Sequence, residues 1–139
     1  MSIRVVYIDD EVDTEKEKTK IEWLHDHGVD VVPVKTVGDA MATLRQAGRV
    51  DAVLLDVLMP PYDVYTLDET TDGTNTGIRL LQDIRSEFPS VPVVMISVKP
   101  PVELQAQISD LVVHGYLYKP VLGADILEEI RRVVDLRRG

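Results

Sequence analysis

The sequence predicts an α/β fold, a five-stranded parallel sheet with helices on both faces. Three observations carry this. Short β-branched runs alternate with segments of helical period along the whole chain. Two of the runs, Val53-Leu54-Leu55 and Val93-Val94-Met95-Ile96, are apolar at successive positions, as a strand covered on both faces requires. The resulting order βαβαβαβαβα makes each strand lead into a helix that returns to start the next, by right-handed crossovers.

Strand one is Ile3 to Ile8, ending in Asp9-Asp10-Glu11. Asp13 or Thr14 caps a helix that runs to about His27, with Gly28 as its stop. Its first turns (Glu15, Lys16, Glu17, Lys18, Lys20) read as solvated, with Ile21, Trp23 and Leu24 as anchors. Strand two is Val29 to Val34, and Pro33 within it marks an edge position. Asp39 to Gln46 carries Ala40, Met41 and Leu44 at helical spacing, closed by Gly48. Strand three is Asp51 to Asp56. Periodicity then disappears from Met59 to Thr76, a long loop of the kind that is often functional. Ile78, Leu80, Leu81 and Ile84 mark the next helix, with Pro89 as a stop. Strand four is Pro92 to Ile96, ending at Ser97. Pro100-Pro101 opens a short helix containing Val102, Leu104 and Ile108. Strand five, Tyr116 to Tyr118, ends at Lys119-Pro120. Ile126, Leu127, Ile130, Val133 and Val134 form one face of a last helix, whose early acids and late arginines match the helix dipole.

A chain of 139 residues with 45% hydrophobic content fits one globular domain, expected to span residues 1–139. With no cysteine, disulfides, thiol chemistry and Cys-based zinc sites are excluded. The net charge of −9 disfavours general binding to nucleic acid or anionic lipid, so no direct nucleic-acid partner is expected. No apolar run is long enough to cross a bilayer and no signal-peptide pattern opens the chain, so the expected location is cytoplasmic, away from the membrane.

The chemistry gathers at the strand ends. Asp9-Asp10, Asp56, Ser97 and Lys119 close four of the five strands, and in a parallel sheet those ends share one edge. Taken singly, an acidic pair is usually a turn, a serine at a strand end a helix cap, and a lysine before proline a surface residue. Together, at successive strand ends, they are far more specific. Converging carboxylates repel unless a cation joins them, and carboxylates with room for water suit Mg²⁺. A carboxylate nucleophile, a metal, a lysine and a hydroxyl form a set suited to phosphoryl transfer onto aspartate.

These motifs, Ile8-Asp9-Asp10-Glu11, Leu54-Leu55-Asp56-Val57-Leu58-Met59-Pro60, Met95-Ile96-Ser97 and Tyr118-Lys119-Pro120, resemble those of the response regulator receiver domain, over nearly the whole chain. The resemblance implies the flavodoxin-like strand order 2-1-3-4-5. It implies Asp56 as phosphoacceptor, with Asp10 a direct Mg²⁺ ligand and Asp9 a ligand through water. The Leu58 carbonyl completes the protein's share of the metal shell. It further implies Ser97 as switch hydroxyl, Lys119 as phosphate-sensing lysine, Tyr116 as switch aromatic, and a cis bond at Lys119-Pro120. The implied function is phosphorelay signalling, not enzymatic turnover of a substrate. A histidine kinase or phosphotransfer protein would be the donor and an output protein or domain the recipient. The last helix and strand five offer a surface for a homodimer.

Three departures stand out: Val98 where a small residue is usual, His114 before Gly115, and the long loop at 59–76. That loop is either a tolerated insertion or a lid or docking element beside the site. Two rivals follow. A haloacid dehalogenase-like phosphatase wants a second acid two residues after its nucleophile, where Leu58 stands. A degenerate receiver acting only as an interaction module would not need the full acidic set and Lys119.

Overall fold

The computed structural model describes residues 2–57, 76–97 and 113–138. The short helix expected after Pro100, most of the 59–76 loop, Leu58 and Val98 lie outside the described residues. Strands β1 (Ile3–Ile8), β2 (Val29–Val34), β3 (Ala52–Asp56), β4 (Val93–Ser97) and β5 (Gly115–Tyr118) form one sheet in the order β2-β1-β3-β4-β5. Every pairing is parallel. Among the described residues the helices are α1 (Glu15–Asp26), α2 (Val37–Gln46), α3 (Thr76–Glu87) and α4 (Gly123–Arg138).

The alternation of side chains along each strand sorts the core into two layers. Val6, Ile8, Val53, Leu55, Val93 and Met95 meet the apolar faces of α2 and α3. Val5, Tyr7, Leu54, Val94 and Ile96 meet those of α1 and α4. β3 and β4 are buried at every position, which is why they read as unbroken apolar runs. β2 alternates between buried and more open positions, and Pro33 lies exposed at the sheet's edge.

Local chemistry sets the ends of the elements. Thr14 caps α1 by accepting from the Glu17 amide, and Gly28, at φ 87°, ends the turn beyond it. α2 begins at Val37, two residues before the Asp39 start the periodicity suggests, because the Thr36 hydroxyl accepts from the Asp39 amide. β3 starts at Ala52, with Asp51 just outside it, exchanging hydrogen bonds with Arg4: its Oδ2 accepts from the Arg4 amide at 2.8 Å, and its own amide donates to the Arg4 carbonyl at 2.8 Å. β5 is short and half-buried. His114, just before it, accepts at Nδ1 from Arg85 at 3.3 Å and from the Val93 amide at 3.4 Å, which fixes a neutral ring.

One expectation fails on α1. Glu17 is buried, not solvated, and Lys20 beside it is largely covered, because Glu17 turns inward to the hydroxyl of Tyr7 on β1 and pairs with Lys20 at 3.2 Å. Trp23 is only partly buried and lies against Gly123, where α4 begins.

Candidate functional site

The carboxyl ends of β1, β3, β4 and β5 bring the polar residues together. Asp9 follows β1 and still continues the ladder, its amide donating to the Val34 carbonyl at 3.0 Å. Its side chain then breaks the strand: Oδ1 accepts from the Glu11 amide at 2.9 Å, a local turn that aspartate favours. Asp9 is fully buried, and Oδ2 accepts from the Tyr7 hydroxyl at 3.3 Å and from Lys119 Nζ at 3.4 Å. Asp56, the last residue of β3, is buried and faces the same ammonium group, its Oδ2 lying 3.6 Å from Lys119 Nζ. Asp10 is half-exposed at the rim, and one ligand oxygen from each of Asp9, Asp10 and Asp56 lies within 4.8 Å of the others.

Ser97 ends β4 in full burial, and its carbonyl accepts from the Lys119 amide at 2.7 Å, which ties the end of β4 to the chain leaving β5. The Lys119–Pro120 peptide is cis. Tyr116 sits opposite Met95 in β5, partly buried against the α2–α3 layer. The backbone next to Asp56 is pinned from two sides. The Val57 amide donates to the Ile96 carbonyl at 3.1 Å, and the Gly77 amide at the start of α3 donates to the Val57 carbonyl at 2.8 Å. Gly77 is required there: a Cβ would stand 2.4 Å from the Asp56 carbonyl oxygen and 2.5 Å from Val57 Cα. Thr76, also fully buried, precedes it. In the sequence Gly77 reads only as a loop signal and Thr76 as the end of an aperiodic stretch, so neither is marked as part of the site; the Thr-Gly pair before an apolar helix is the available signal.

The electrostatics follow from the crowding. Burial, then the charges of Asp9 and Glu11, push the Asp10 carboxyl above the usual range, with Lys119 opposing. Burial alone would lower Lys119, but Asp56 and Asp9 outweigh it and hold the ammonium above its ordinary value. Burial, then Asp9 and Glu17, push the Tyr7 phenol up, so it keeps its proton and can only donate to them. Such a site offers oxygen donors with excess negative charge, with no histidine or cysteine among its clustered metal-binding groups. That donor set fits a hard divalent cation such as Mg²⁺ and does not fit zinc. A cavity of about 610 Å³ lies at the opposite edge of the sheet and is lined by Leu44, Gly48, Pro89 and Arg137, away from this chemistry.

A doubly wound parallel sheet with an acidic cluster and a lysine at its carboxyl edge places the chain in the open α/β class that binds ligands at its strand ends. Residues 5–131 match the response regulator receiver domain, and the chain belongs to that family. The fold agrees with solved structures. A CheY-like receiver domain protein from Methanospirillum hungatei JF-1 aligns at TM-score 0.78 and 22% identity, over 99% of this chain and 98% of that one. The chemotaxis response regulator CheY4 of Vibrio cholerae aligns at TM-score 0.74 and 22% identity, over 96% and 99%. A receiver domain protein from Clostridium thermocellum aligns at TM-score 0.74 and 18% identity, over 98% and 97%. No curated protein matches the sequence significantly. Receiver domains are signalling domains that bind Mg²⁺ at an acidic pocket, and the cluster of Asp9, Asp10 and Asp56 stands where the strands of this one end.

Proposed function

We propose that this chain is a phosphoacceptor domain of a phosphorelay, with Asp56 as the acceptor. The observation that carries the reading is the position of Lys119 Nζ, 3.4 Å from Asp9 Oδ2 and 3.6 Å from Asp56 Oδ2, at the mouth of a three-carboxylate cluster. A carboxylate oxygen of Asp56 attacks the phosphorus of a phosphohistidine on a histidine kinase or phosphotransfer protein. A new P–O bond forms, the bond to the donor imidazole nitrogen breaks, and its electron pair stays on the imidazole. Lys119 is already beside the acceptor oxygen, so it can turn from Asp9 to the incoming phosphoryl oxygens and neutralise their charge without entering from solvent. Asp9, Asp10 and Asp56 would hold Mg²⁺, which would supply further neutralisation of the phosphoryl group when bound.

Ser97 is the hydroxyl that the acyl phosphate draws inward. Tyr116 moves with it and shifts an existing equilibrium of the face built from β5 and α4. Exposed Tyr118 and Leu122 border that face, beside Asp125 and Glu128, which supports its use for an output protein or a homodimer. No helix among the described residues is long and apolar enough to cross a membrane. The test is mass spectrometry after incubation with acetyl phosphate and Mg²⁺. One phosphoryl mass should be added to wild type and none to Asp56→Asn. Equal labelling of that variant would place the acceptor elsewhere.

A further inference from the structure

Tyr7 and Glu17 have no task in phosphoryl transfer, yet they meet directly behind Asp9. The Tyr7 side chain is fully buried, and its hydroxyl lies 3.3 Å from Asp9 Oδ2 and 3.3 Å from Glu17 Oε2. A phenol carries one proton and can donate it to one acceptor at a time. The two carboxylates are therefore competitors for a single donor. Glu17 is anchored on α1, and its other oxygen accepts from Lys20 Nζ at 3.2 Å, so Lys20 weakens Glu17 as an acceptor for Tyr7. On the far side, Asp9 Oδ2 also receives Lys119. One chain of contacts thus runs from α1 through β1 to the acceptor: Lys20, Glu17, Tyr7, Asp9, Lys119, Asp56. A cavity of about 280 Å³ borders Tyr7, Glu17, Lys20 and Lys119 and gives these side chains room to change partners.

We propose that Tyr7 is a positioning residue for Asp9, and that the Glu17–Lys20 pair on α1 governs how much of its hydroxyl Asp9 receives. Groups behind a metal-binding carboxylate fix its orientation, and their loss usually weakens the metal. The inference rests on the reading of Asp9 as part of a divalent-cation site.

The experiment follows the Asp9 carboxyl carbon by NMR in the metal-free full chain, with the amide spectrum reporting that each variant is folded. Glu17→Gln weakens one competitor and should move the Asp9 resonance in the direction of fuller hydrogen bonding. Lys20→Met strengthens Glu17 as an acceptor and should move it the other way. Both movements should collapse in a Tyr7→Phe background. In a calorimetric titration, Tyr7→Phe should weaken Mg²⁺ binding by roughly tenfold or more. Movements of the same sign, or movements that survive in the Tyr7→Phe background, overturn the coupling even where Mg²⁺ binds normally. Coupled movements in the variants, with no Mg²⁺ uptake by the wild-type protein, overturn the metal-site reading, and with it the claim that Tyr7 positions a metal ligand. Unchanged Mg²⁺ affinity in folded Tyr7→Phe overturns that claim alone.

Discussion

Gly77→Ala tests how tightly the acceptor strand is clamped. In an open helix this substitution would stabilise the protein by up to about 1 kcal/mol, because alanine loses less backbone freedom than glycine. Here the added Cβ would fall 2.4 Å from the Asp56 carbonyl oxygen and 2.9 Å from the Val57 carbonyl oxygen. Ordinary van der Waals contact begins at 3.4 Å, so the first turn of α3 must withdraw from β3 by about 1 Å. Both obstacles are backbone, and neither can swing aside as a flexible side chain would. The withdrawal also stretches the 2.8 Å bond from the Gly77 amide to the Val57 carbonyl. Overpacking of this kind costs typically about 1–3 kcal/mol, and at the middle of that range it exceeds the propensity gain, so the expected net loss is about 1 kcal/mol. Urea denaturation followed by circular dichroism measures it. Acetyl phosphate labelling at saturating Mg²⁺ should also slow, because the displaced carbonyl belongs to the acceptor residue itself. Gly48→Ala is the contrast: it meets nothing within 4 Å and suffers only the strain of φ 69°, far from Asp56, so labelling should not change. A Gly77→Ala protein as stable as wild type, with unchanged labelling, would refute the clamp.

Three further perturbations have definite signs. The Asp10 carboxyl is raised by burial, then by Asp9 and Glu11, so the folded state holds its proton more tightly than the unfolded state. Its ionisation costs stability once the pH is above the raised value. Asp10→Asn should therefore raise the metal-free melting temperature at neutral pH while weakening Mg²⁺ binding. Wild-type Mg²⁺ binding should in turn weaken as the pH falls into the raised Asp10 range. His114 is lowered by burial, then by Arg85, Arg132 and Arg137, so the unfolded chain takes up its proton first. Stability from this group is present above its ordinary value of 6.5 and lost as the pH falls through it, and His114→Gln should remove that slope in thermal melts. Lys119→Met leaves Asp9 and Asp56 facing each other without their cation, so it should lower the melting temperature without metal. Added Mg²⁺ should recover more of the loss than it adds to wild type, as a calorimetric scan with and without the ion would show.

Continuous burial made the fold legible. The runs through Val53 and Val93 admit no solvent-facing position, so they could be read as central strands, and Pro33 marked the edge strand for the opposite reason. The strand-end residues could be found because a parallel sheet forces its carboxyl ends together, whatever the side chains do. What stayed hidden depends on where a polar side chain turns. Glu17 sits among four charged or polar neighbours on α1, and nothing in its spacing distinguishes an inward glutamate from a solvated one. Its partner Tyr7 occupies an ordinary core position in β1, and only the packed structure shows a hydroxyl directed at two carboxylates. The start of α2 is not visible in the periodicity because Val37 and Gly38 are poor helix formers, whereas the Thr36 cap that fixes them acts through one hydrogen bond.

The peptide groups of β2 alternate between facing β1 and facing outward. The carbonyls of Gly28 and Val34 accept from β1, at Ile3 and Asp9, so the even-numbered residues face inward and Pro33 presents its peptide to the open side. An open side with a full row of amide donors is a template on which a second copy's strand could be laid, a route to edge-to-edge association. A proline has no donor to offer at that position. Pro33 therefore acts as a terminator for the sheet. It matters most when the chain is abundant and crowded against its own copies, and Pro33→Val would restore the missing donor in a β-branched background.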